Sequence, residues 1–129
     1  MAKTWQQKYE DKKVEVIKRL DIDFADIKSG ETMLISTPEK IAEYINNIPE
    51  HQNRDLHTMR KDLAVAANTD KTCPVTTAIF TRIIAERSLE LMAEGKSPIA
   101  PFWKVIDPKS SLAKKLSCGT DFVEQMRSK

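Results

Sequence analysis

The stretch from Cys73 to Gly95 constrains the fold more than any other part of the chain. Pro74 suits the first turn of a helix, where its missing N–H costs nothing, and Cys73 stands at the cap position. Gly95 is the residue type that ends a helix in a left-handed conformation. Between them Val75, Ile79, Phe80, Ile83, Ile84, Leu89, Leu91 and Met92 cover more than one stripe. A helix that is apolar on several sides has to be buried on several sides, so the spacing predicts a central helix over 74–94. Thr77, Thr81 and Ser88 form its one small polar strip.

Two shorter helices precede it. Thr37-Pro38-Glu39 combines a capping oxygen, a proline at the first helical position and an acidic group at the positive end of the dipole. Ile41, Tyr44, Ile45 and Ile48 then recur at helical spacing until Pro49. Asp55 caps a second helix with Leu56, Met59, Leu63 and Ala67 as its buried face, and 68–72 is a turn. Residues 4–20 read as a helix with Val14, Ile17 and Leu20 on one face and Trp5 and Tyr9 one row earlier. Phe24 and Ile27 anchor a loop, and Met33-Leu34-Ile35 reads as a short strand. Downstream, residues 102–106 read as a strand, 107–110 as a turn and 110–119 as a short helix. Thr120 or Asp121 caps a last helix. Helix, helix, long helix and then a β element is the order of a helix-turn-helix with a wing. The expected fold class is mainly α with a small β element. It comprises a winged helix-turn-helix-like domain over 36–129 and an N-terminal helical extension over 1–35 packed on it.

Composition narrows the function classes. A chain of 129 residues with 40% hydrophobic side chains fits one domain with one core. No apolar run is long enough for a membrane span, and the N-terminus has no apolar signal region, so a cytoplasmic protein is expected. With only 3 glycines there is no phosphate-cradling glycine motif. Cys73 and Cys118 are the only cysteines and His51 and His57 the only histidines, at no metal-ligand spacing. One disulfide is conceivable, though reduced thiols are the expectation in the cytoplasm. No metal and no cofactor are expected. Asp21/Asp23 and Asp62/Asp70 lie in charged stretches and read as surface. The net charge of +2 hides an asymmetry, because residues 71–129 carry 10 basic and 6 acidic side chains. That excess permits a polyanionic partner and equally describes a solvated basic surface.

Several segments resemble the DNA-binding C-terminal domain of O6-alkylguanine-DNA alkyltransferases and the related alkyltransferase-like proteins. Ile48-Pro49 is followed by five residues and then Asp55-Leu56-His57-Thr58-Met59-Arg60, in the manner of the family's IPxGxVxTYGxIA. TCPVTTAIF opens the segment that corresponds to the recognition helix. Pro101-Phe102-Trp103-Lys104-Val105-Ile106 stands where the family has PCHRVI, and 109–126 is similar to its Lys/Leu-rich tail. The pattern is closer still to a small branch marked by TCPxTTxIF and P[FY]WR. The resemblance covers 36–126 and implies a DNA-binding fold. It also implies no alkyl transfer at the usual position, since Phe102 replaces the acceptor cysteine, Trp103 the activating histidine and Lys104 the arginine. Without a thiolate and its base the reaction has no nucleophile. Leu56 stands where a tyrosine presses on the target phosphate, and Thr77 near the arginine that fills the base stack, so base flipping loses its tools as well.

The expected function is therefore non-catalytic DNA binding, linked to repair or damage sensing, with double-stranded DNA as partner and a monomeric chain. Thr76, Thr77, Thr81, Arg82, Lys104, Lys109, Lys114 and Lys115 are the candidate DNA contacts. The threonines would let DNA approach a helix N-terminus, and the lysines would neutralise phosphates. Phe102 and Trp103 would face opposite sides of a strand, one in the core and one lining a base pocket. Two alternatives stand beside this reading. One is a protein-interaction domain on the same fold. The other is an alkyl-accepting enzyme that uses Cys73 at a helix N-terminus.

Overall fold

In the computed structural model, which describes residues 3–129, the chain runs α1 (Trp5–Glu10), β1 (Val16–Arg19), β2 (Thr32–Ile35), α2 (Pro38–Asn46) and α3 (Leu56–Ala66). It continues through β3 (Lys71–Thr72), α4 (Pro74–Ala93), a 3-10 turn (Phe102–Lys104), α5 (Ser111–Lys115) and α6 (Gly119–Arg127). The protein is thus mainly α with a small sheet. The strand order is β1-β2-β3, with β1 antiparallel to β2 and β3 parallel to it.

The caps read from the sequence set the helices. The Thr37 hydroxyl accepts from the Lys40 N–H at 3.2 Å and the Asp55 carboxylate from the Thr58 N–H at 2.7 Å, each satisfying a donor that the first turn leaves open. Gly95 closes α4 with φ +78°, a conformation a side chain would strain. Because α4 is apolar on several sides, α1, α2, α3 and the 3-10 turn all pack against it. The resulting core runs from Leu34, Ile41 and Ile45 through Met59 and Ile84 to Phe102, Ile106 and Val123. Truncating one of these, Ile45 for example, costs about 2–5 kcal/mol.

Three expectations are corrected. The helix over 4–20 stops at Glu10, and residues from Val16 form a strand. Val14 is 80% exposed and Ile17 52%, so no apolar helix face exists there to be buried. The β-branched Val14, Val16 and Ile17 favour extended chain, and β2 offers it a partner. The strand over 102–106 is a 3-10 turn instead. Phe102, Val105 and Ile106 are all fully buried, a spacing of three and four residues that a turn can direct inward and an alternating strand cannot. Finally, α6 starts at Gly119 behind Cys118, which makes no side-chain cap bond, rather than behind Thr120 or Asp121. The β element therefore lies before α4, built largely from the N-terminal extension, which supplies two of the three strands.

Candidate nucleic-acid interface

α3 and α4 are joined through residues 67–73, which contain β3. Pairing of Met33 with Lys71 and of Leu34 with Thr72 fixes β2, and with it the β1–β2 hairpin, beside the start of α4. Arg60 locks this junction. Its guanidinium donates twice to the Thr72 carbonyl, at 2.9 and 2.8 Å, and twice to the Asp26 carboxylate, at 3.2 and 2.7 Å. The Thr72 hydroxyl returns a bond to the Arg60 carbonyl at 2.7 Å. Lys71 adds bonds to the Asp26 carbonyl and the Glu31 carboxylate. The Arg60 hydrogen bond, reinforced by its charge, holds the Asp26 carboxyl below the usual carboxylate range. A surface cleft of about 260 Å³ lies over the clamp, lined in addition by His57, Lys61 and Asp70.

Four of the eight candidate DNA contacts are spent inside the molecule. Thr77 and Thr81 are buried, and their hydroxyls donate to the Cys73 and Thr77 carbonyls at 2.6 and 2.7 Å. They share the inner side of α4 with Ile84 and Ser88, so the polar strip faces the core and back-bonds to its own helix. Arg82 lies over the Trp5 ring at 5.3 Å and donates to the Lys115 carbonyl at 3.2 Å. It also sits 3.7 Å from the Glu86 carboxylate. Glu86 is only 3% exposed and accepts from the Ser117 N–H and hydroxyl, which ties α4 to the α5–α6 link. Lys104 donates to the Ile48 and Pro49 carbonyls at 3.2 Å each, covering the chain end that follows α2.

The other four are accessible. Thr76 is half-buried on the first turn of α4, between Val75 and Ile79, each 51% exposed. Lys109, Lys114 and Lys115 are exposed around α5. Lys109 and Lys114 border a hollow of about 360 Å³ with Asp107, Thr120 and Glu124.

Of the two rings expected at a base pocket, Phe102 lies in the core and Trp103 at the surface. Phe102 is 0% exposed, stacked on Phe122 at 6.2 Å and edge-on to Trp103 at 5.2 Å, so the two rings lie together rather than on opposite faces. Trp103 alone reaches the surface, beside His51, Lys104, Met126 and Lys129 in a hollow of about 210 Å³. Arg127 closes this end of the molecule by donating to the Arg54, Trp103 and Ile106 carbonyls. Cys73 is buried with Ile27 and Met33 in a small apolar cluster, and burial raises the Cys118 thiol pKa. Comparisons with family models, with curated proteins and with solved structures find no match to this chain. Among the described residues, no helix is long and apolar enough to cross a membrane, and no group of three or more His, Cys, Asp or Glu is placed to hold a metal ion.

Sequence reasoning missed the Arg60–Asp26–Thr72 clamp, the Arg127 anchor and the Tyr44–Asp62–Arg54 group. In that group the Tyr44 hydroxyl donates to Asp62 at 2.5 Å and accepts from Arg54 at 2.9 Å. Burial, followed by the Asp62 carboxylate, raises the Tyr44 pKa. Each joins residues from separate elements, and no local pattern marks such a pairing.

Proposed function

We propose that the chain is a DNA-binding protein without alkyl-transfer chemistry, in which α3, β3 and α4 act as a helix-turn-helix and the β1–β2 hairpin stands as its wing. The observation that carries this reading is β3 itself. It sits in the link between the two helices and pairs with β2, which sets the hairpin beside the open first turns of α4. Those turns offer Val75, Thr76 and Ile79 to a groove, where apolar side chains can meet thymine methyl groups. Phosphate contacts fall to Lys109, Lys114 and Lys115. The absence of a thiol at Phe102 and the stacked ring that fills that position support binding without group transfer or base capture. The resemblance to alkyltransferase-like proteins lends the same reading its link to DNA repair.

Fluorescence anisotropy on a labelled duplex tests it. Three neutralised phosphates imply about a 40-fold loss of affinity between about 50 and 200 mM salt. The K114A/K115A double variant should weaken binding and flatten the salt dependence. No binding at the lower salt removes the reading.

A second reading is favoured by the same helix face and by the charge of the hairpin. Val75 and Ile79 are apolar, and the loop between β1 and β2 carries Asp21, Asp23, Asp26 and Glu31, which repel a phosphate backbone. On this reading α4 docks a protein. Capture of the same partner before and after nuclease treatment, by a chain that ignores duplex DNA, is the outcome it requires.

A further inference from the structure

β1 is the edge of the sheet, and among the described residues β2 is the only strand that borders it. All four of its residues are exposed. Edge strands present unpaired backbone groups and are ordinarily blunted or covered. The hydrogen-bond phase of this edge follows from its inner partner. The Leu20 N–H donates to the Glu31 carbonyl and the Leu20 carbonyl accepts from Gly30, so Leu20 turns its backbone groups toward β2. In an antiparallel ladder these directions alternate. Lys18 and Val16 therefore also face β2, whereas Glu15, Ile17 and Arg19 direct their N–H and C=O groups outward.

We propose that a second copy of this chain pairs on β1, antiparallel and centred on Ile17, joining two three-stranded sheets into one. Two-fold pairing about Ile17 sets the outward groups of Ile17 against those of the partner's Ile17, which is the hydrogen-bonded type of pair that the phase requires. Glu15 then opposes the partner's Arg19, and Arg19 the partner's Glu15. Opposite charges directly across a ladder stabilise it and like charges oppose it. One pair further out Lys13 opposes Asp21, again with opposite signs. On the other face Val14 meets Leu20, and Val16 meets the stem of Lys18.

The two neighbouring registers with the same phase are worse. Centring on Lys18 puts Lys18 against Lys18 and Glu15 against Asp21. Centring on Val16 puts Lys13 against Arg19 and leaves Glu15 against Ile17. Only the Ile17 register matches signs throughout. The side chains have capacity to spare for it. Lys40 takes the Oε2 of Glu15 at 2.7 Å, which leaves Oε1, and Arg19 uses Nη1 on the Gly30 carbonyl, which leaves Nη2 and Nε. Val14, Val16 and Ile17, exposed in the single chain, are further buried by the partner's strand.

This dimer replaces the monomer expected from sequence and does not depend on DNA binding. A contact of so few residues per strand is at the small end of specific interfaces, so association is concentration-dependent. Sedimentation equilibrium up to about 1 mM, a concentration that captures even weak contacts, tests it. The wild type should move from the 14.7 kDa of the chain toward twice that mass. E15R and R19E should each stay monomeric, because each puts like charges in both outer pairs. An equimolar mixture of E15R and R19E should recover the dimer, since opposite signs then face each other again. Ile17→Pro removes an N–H that β2 does not use, and should abolish dimerisation with unchanged circular dichroism. A wild type that stays monomeric throughout overturns the proposal. So does a dimer indifferent to the single charge reversals, or a mixture that remains monomeric.

Discussion

Phe102 carries the clearest consequence at the scale of single residues. The aromatic ring packs with Phe122 and Trp103 and is closed to solvent. A thiol placed there would be closed off from a DNA duplex by its buried surroundings. Phe102→Cys should lose about 3 kcal/mol in chemical denaturation, as large-to-small core changes do. Its thiol should remain unmodified by alkylated duplex under mass spectrometry, and rapid stoichiometric alkylation would contradict that closure. Glu86 is the second decisive side chain. It takes both donors of Ser117 in a site that is almost closed to water. Glu86→Ala removes the charged acceptor that ties Ser117 to α4 and the carboxylate beside Arg82, and should cost about 2 kcal/mol. Glu86→Gln, which keeps an acceptor oxygen, should cost less in the same unfolding experiment.

Among the elements, the β1–β2 loop is tied to α3 by the Arg60–Asp26 ion pair. Asp26, bound by Arg60, has its carboxyl pKa lowered from the ordinary 3.8. A depressed folded-state pKa contributes stability that is complete above the unfolded value and disappears as pH falls through the folded one. Glu31, lowered chiefly by the Lys28 N–H and then by Lys71, acts in the same direction. Amide exchange in 20–31 should therefore accelerate below about pH 4, ahead of exchange in α4. Asp26→Asn should weaken that pH dependence, leaving the part due to Glu31, and make the loop faster at neutral pH. Equal protection of loop and helix down to pH 2–3 would contradict it.

The same elements show what the sequence makes legible. α2, α3 and α4 have caps written in adjacent residues, Thr37-Pro38, Asp55 and Pro74 with Gly95, and each carries a long periodic face. Residues 11–19 have a period that both a helix and a strand can use, and the choice depends on β2, fifteen or so residues later. The turn at 102–104 is decided by Phe122 and α4, which close over it. For the same reason the candidate contacts divided as they did. Thr77 and Thr81 are polar by residue type, but their position on the inner side of α4 and their bonds to its carbonyls remove them from the surface. Arg82 and Lys104 found internal acceptors in segments distant along the chain. Lys109, in the turn before α5, and Lys114 and Lys115, on it, stayed exposed as residue type alone would suggest.

At the scale of the whole molecule, one helix serves as the interior post on which α1, α2 and α3 lean, and its first and last turns reach the surface. The account places the functional surface at the first turns, with the lysines around α5 as the electrostatic partner. Amide chemical-shift mapping during titration with a short DNA duplex measures this directly. The account predicts shifts at Val75, Thr76 and Ile79 together with Lys114 and Lys115, and none at the buried Phe102. Saturating duplex that leaves the first turns of α4 unmoved, or shifts confined to the hollow around Trp103, would contradict it.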